Sequence, residues 1–70
     1  MTTHVYLWLA HMASSEADSL VYAYPRPDGW EAEHDEWRDV SDRCFERGTR
    51  GLDEDQQRAA WRDAMQAWRA

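Results

Sequence analysis

The chain has no lysine; all eight of its cations are arginine. This absence reads as a coding or lineage bias, although arginine also suits paired contacts with carboxylates. The single cysteine, Cys44, excludes a disulfide within the chain and gives no sign of an oxidising compartment. We read it as a small core residue. No C-x-x-C or H-x-x-x-H spacing occurs, and His4, His11, His34 and Cys44 are spaced wrongly to share one ion. No metal or other cofactor is therefore expected. Neither a glycine-rich phosphate loop nor a Ser/His/Asp or Cys/His set is suggested by spacing, so catalysis is not expected either. The longest apolar run, Val5–Ala10, is too short to span a membrane, and no basic residue precedes it as in a signal peptide. These absences lead us to expect an intracellular, cytoplasmic protein that needs no processing.

What is present is small, acidic and aromatic. Seventy residues make one domain, and a chain of this size buries only about 60% of its unfolded surface. Five tryptophans, three tyrosines and one phenylalanine partly compensate. The net charge is −6, and all of it lies between Asp28 and Glu46, which hold eight acids and two arginines. Such a balance argues against direct binding to nucleic acid or anionic membrane and favours a basic partner or simple solubility.

Val5–Met12 is rich in β-branched and aromatic residues and predicts a strand, with Val5, Leu7, Leu9 and His11 on one face. Ser14–Ser19 is the expected connection, and Leu20–Tyr24 a second strand stopped by Pro25 and Pro27. Asp28 and Glu31 form a D-x-x-E version of the capping box and predict a helix over about residues 28–47. Gly48 is its expected C′ residue, and Gly48–Gly51 a flexible link. Asp53 and Gln56 give a second start signal for a helix over about 53–69, whose apolar face is Trp61, Ala64, Met65 and Trp68. The expected fold is α+β, a single domain of an antiparallel hairpin (about 4–24) followed by two helices, ββαα. At least one or two of Tyr6, Trp8, Tyr22, Tyr24 and Trp30 are expected to be exposed.

Winding residues 28–46 at about 100° each divides them into two sides. Trp30, Trp37, Val40 and Cys44 gather on one, extended by His34, Ser41 and Phe45. Asp28, Glu31, Asp35, Asp39, Asp42 and Glu46 form a row on the other, about 27 Å long with one carboxylate per roughly 5 Å. Phosphates recur about every 3.4 Å along a DNA strand, so the row is a rigid line of negative charge at a loosely similar spacing. Like charges at i,i+4 destabilise a helix by a few tenths of a kcal/mol, which suggests that a partner uses them. The bland alternative is a solvated face, or one neutralised within the chain by Arg58, Arg62 and Arg69 of the last helix, with Arg50 nearby.

Size, acidity, the lack of an enzyme motif and the expected layout resemble those of small inhibitors encoded by phages and mobile elements, anti-CRISPR proteins in particular. The segments HVYLWLAH and LVYAY are also similar to short phage and actinobacterial proteins. The resemblance is one of kind and transfers no individual residue. It implies a non-enzymatic inhibitor that binds a subunit of a CRISPR effector complex in a bacterial host and blocks target DNA recognition as a DNA mimic. Its partner-binding residues would be Asp28, Glu31, Asp35, Asp39, Asp42 and Glu46. The alternative is a structural or regulatory interaction module, antitoxin-like or homodimeric through its hairpin edge.

Overall fold

The structure, a computed structural model, describes residues 3–69. Three helices follow one another, α1 (Thr3–Tyr22), α2 (Trp30–Gly48) and α3 (Glu54–Arg69), and the described residues contain no strand. The fold is all-α, which overturns the expected ββαα arrangement. Residues 4–24 form no hairpin, and the described residues offer no strand edge through which two copies could pair.

The physical reason lies in the supposed connection. Ser14–Ser19 carries neither glycine nor proline, the strong breakers, and its serines and Asp18 cost a helix only tenths of a kcal/mol each, so the helix continues through it. Ala10, Ala13 and Ala17 favour helix, and with Leu7 they recur at helical spacing. All four are buried, and they form the seam against α2. The β-branched and aromatic residues of Val5–Met12 serve the helix's other faces. Pro25 and Pro27 follow the end of α1 instead of ending a strand.

α1 and α2 pack antiparallel and close. Leu7 is the one large side chain that is fully buried among the described residues. Otherwise the seam is made of small groups, which lets the two backbones approach. A Cβ on Gly48 would lie 3.0 Å from Leu7 Cδ2 and 3.1 Å from Tyr6 Cβ. Gly48 is thus the last residue of α2, kept bare by this contact, and not the expected C′ residue. Further along, the buried Ser41 hydroxyl donates to the Ala10 carbonyl at 2.9 Å, and Arg38 Nη1 donates to Ser14 Oγ at 3.2 Å. At the turn, Arg26 Nε donates to Val21 O at 3.0 Å, satisfying a carbonyl at the C-terminal end of α1. Its guanidinium also lies 4.6 Å from the centre of the Trp30 ring, so one side chain ties the end of α1 to the start of α2.

The two helix starts differ. Asp28 does not cap α2; the N-cap is Gly29, at φ 78°, with no side-chain hydrogen bond. The Asp28/Glu31 box is therefore not formed, because the chain enters through a left-handed glycine after Pro27. At α3 the box does form: Gln56 N donates to Asp53 Oδ1 at 2.8 Å and Asp53 N to Gln56 Oε1 at 3.0 Å.

α3 lies on a different face of α1. Trp8 Nε1 donates to the Ala64 carbonyl at 2.8 Å. A run of rings extends through the contact: His4, Trp8, Trp68, His11, Trp61 and Phe45, with successive centroids 5.8 to 6.1 Å apart. Tilted aromatic pairs at this distance add about 0.5–1.5 kcal/mol each beyond their burial. α3 thus docks through edges of large rings, whereas α2 docks through small residues. Gly48→Val should cost about 1–3 kcal/mol of unfolding free energy, because the added atoms meet a packed seam. Urea denaturation followed by circular dichroism measures this, and an unchanged midpoint would contradict the close approach.

Candidate functional site

α2 divides as its contacts require, although not along the expected line. Its buried positions are Ser41 and Gly48, with Trp30, His34, Trp37, Cys44 and Phe45 half-buried. Val40, expected in the core, is 43% exposed. The inward direction is therefore rotated toward Ser41, since a close helix pair selects for size more than for hydrophobicity.

Of the expected row, Glu31, Asp35, Asp39, Asp42 and Glu46 are exposed on one side of α2, at spacings of 4, 4, 3 and 4 residues. They extend over about 22 Å at 1.5 Å per residue. Asp28 is exposed but lies in the turn before the helix, so the row is five carboxylates long and not six. Within it, Asp39 Oδ2 pairs with Arg43 Nε at 3.1 Å, one turn on. Asp35 Oδ1 is 3.3 Å from His34 Nδ1.

The arginines of α3 do not neutralise the row. Arg58 pairs with Glu54 of its own helix at 2.8 Å, and Arg62 with the adjacent Asp63 at 3.6 Å. Among the described residues, no ion pair joins α3 to the row. Asp42 and Arg58 both line an open groove of about 450 Å³ between the helices. There Asp42 and Arg38 stand on one wall, Gln57 and Arg58 on the other, and Phe45 and Trp61 also line the groove.

The helix pair has a second groove, on the side away from α3. Leu9, Met12, Ala13, Glu16, Trp37, Val40 and Cys44 line it, and Glu33 and Glu36 rim its extension along α2. No sequence pattern signalled this groove, because Trp37, Val40 and Cys44 read as core and Leu9 and Met12 as strand. Tyr22 and Tyr24, 84% and 99% exposed, are the aromatic residues that stand free near the α1–α2 turn. Trp68, assigned to the apolar face of the last helix, is 47% exposed.

No group of three or more metal-ligating side chains converges among the described residues. No helix there is long and apolar enough to cross a membrane. The class defined by fold and surface is a small three-helix domain with an acidic helix face. No protein family, curated protein or solved structure matches the chain.

If the row is solvated beyond its Asp39–Arg43 and Asp35–His34 contacts, removing charge from its other members should relieve repulsion. Asp42→Asn combined with Glu46→Gln is expected to raise stability by a few tenths of a kcal/mol at low salt, and by less at high salt. Thermal unfolding at two ionic strengths measures it. A loss of stability would show that these carboxylates hold the fold together.

Proposed function

We propose that the chain is a non-enzymatic inhibitor that presents the α2 carboxylates to the basic surface of a nucleic-acid-binding protein. The observation that supports this is the exposed line of Glu31, Asp35, Asp39, Asp42 and Glu46, left uncovered by α3 and unpaired with its arginines. A helix holds the line straight and rigid, so arginines and lysines spaced to grip a DNA strand meet acceptors at recurring intervals. The kind of protein it resembles directs the proposal to a CRISPR effector complex, with the row occupying the groove meant for target DNA. The exposed Tyr22 and Tyr24 are suited to supply apolar anchoring beside the charges.

The second reading is an interaction module whose acidic face is only solvated, and the exposed apolar groove beside Val40 favours it. Salt separates the two. Carboxylate mimicry loses affinity steeply as ionic strength rises, whereas an apolar interface does not.

The test is competition. Increasing amounts of the protein are added to purified CRISPR effector complexes binding a labelled target duplex. Inhibition is expected, weakening with salt, and at least about tenfold weaker for Asp35→Arg with Asp39→Arg, since like charges across a contact cost several kcal/mol. Circular dichroism should show the variant as helical as the parent, because both positions are exposed. Equal inhibition by parent and variant would sink the assignment to the row.

A further inference from the structure

We infer that the groove on the far side of the α1–α2 pair is the interface of a twofold homodimer, centred on Val40. Leu9, Met12, Trp37, Val40 and Cys44 give the groove its apolar lining, and Glu16 of α1 also lines it, toward the end where Glu33 and Glu36 lie, since Ser14 faces Arg38. Leu9, Met12 and Val40 are 42%, 50% and 43% exposed, so the apolar lining is open to solvent.

The charges beside Val40 identify the occupant. At about 100° per residue, Glu33, Glu36, Val40, Arg43 and Arg47 share one edge of α2. Glu33 lies seven residues before Val40 and Arg47 seven after it; Glu36 lies four before and Arg43 three after. The edge is therefore acidic at one end, apolar in the middle and basic at the other. A twofold interface uses the same patch on both subunits and must be complementary to itself. Two α2 helices crossing antiparallel at Val40 satisfy that requirement, with Glu33 and Glu36 of each copy opposite Arg47 and Arg43 of the other. A uniformly basic partner would be repelled at one end of this edge, and a uniformly acidic one at the other. Arg43 reaches the dimer contact while keeping its neighbour Asp39, since its side chain is 77% exposed.

The dimensions agree. The accessible surface is 5352 Å², against about 4,600 Å² expected for a compact monomer of this mass. The radius of gyration is 13.5 Å, against about 11 Å for seventy compact residues. The surplus belongs to the elongated shape as a whole, 38 × 25 × 22 Å, which leaves the flank of the helix pair open to a partner. The carboxylate row lies on another side of α2, so a dimer would carry two rows. The inference does not depend on what those rows bind.

The experiment is light scattering and sedimentation of the purified chain over a range of concentrations, with three variants. The parent should sediment as a dimer. Val40→Glu should weaken the dimer at least about tenfold without loss of helicity, because the position is exposed in the monomer. Glu33→Arg with Glu36→Arg makes the edge wholly basic, and Arg43→Glu with Arg47→Glu makes it wholly acidic. Each of these should be monomeric alone, and the two mixed in equal amounts should give a heterodimer. A parent that stays monomeric throughout, a Val40→Glu variant that dimerises as the parent does, or mixed variants that fail to associate would each overturn the inference. Distinct outcomes here and in the DNA competition assay keep the two proposals separable.

Discussion

The close approach of α1 and α2 is the constraint from which the remaining features follow. It requires a bare Cα at Gly48, a small polar side chain at Ser41 and alanines at positions 10, 13 and 17. With so little side-chain volume between them, the two helices bury one large residue, Leu7, and align their backbones closely enough for Ser41 to reach the Ala10 carbonyl. A seam of this kind orients precisely placed helices but removes little apolar area from water. The larger apolar groups are displaced to the flanks. On one flank, Trp8 and His11 meet Trp61 and Trp68 of α3. On the other, Leu9, Met12 and Val40 meet solvent.

This division also sets the direction of the acidic side of α2. Because Ser41 and Gly48 point inward, Glu31, Asp35, Asp39, Asp42 and Glu46 turn outward. α3 is held to α1 by a ring ladder and one indole hydrogen bond, and its Arg58 and Arg62 are engaged with acids of α3 itself. α3 meets α2 through the Phe45–Trp61 contact and the open groove where Asp42 and Arg58 share a wall-to-wall space. The acidic face is thus a consequence of how thinly α3 covers α2.

Sequence patterns succeeded where one face of a helix carries its contacts. α3 packs by one face, so Trp61, Ala64, Met65 and Trp68 keep a clean helical period, and the reciprocal Asp53/Gln56 cap follows from local chemistry. α1 has three apolar sides, facing α2, α3 and solvent, and a helix apolar all round loses its periodic signal. Its β-branched and aromatic content then mimicked a strand. The informative sign was the missing breaker in Ser14–Ser19, together with the alanine spacing. At Asp28 the local cap pattern was present, yet Gly29 took the position because the entry from Pro27 needed a positive φ.

By itself, the sequence determined the charge of the 28–46 segment, the helical character of α2 and α3, and the placing of the acids along one helix side, since these depend on composition and spacing alone. Tertiary structure decided that residues 3–22 are one helix, that Val40 faces outward, and that the arginines of α3 stay off the acidic row. Those outcomes depend on the distance between helix axes. The small residues at 10, 13, 17, 41 and 48 act together to set that distance only once two helices meet.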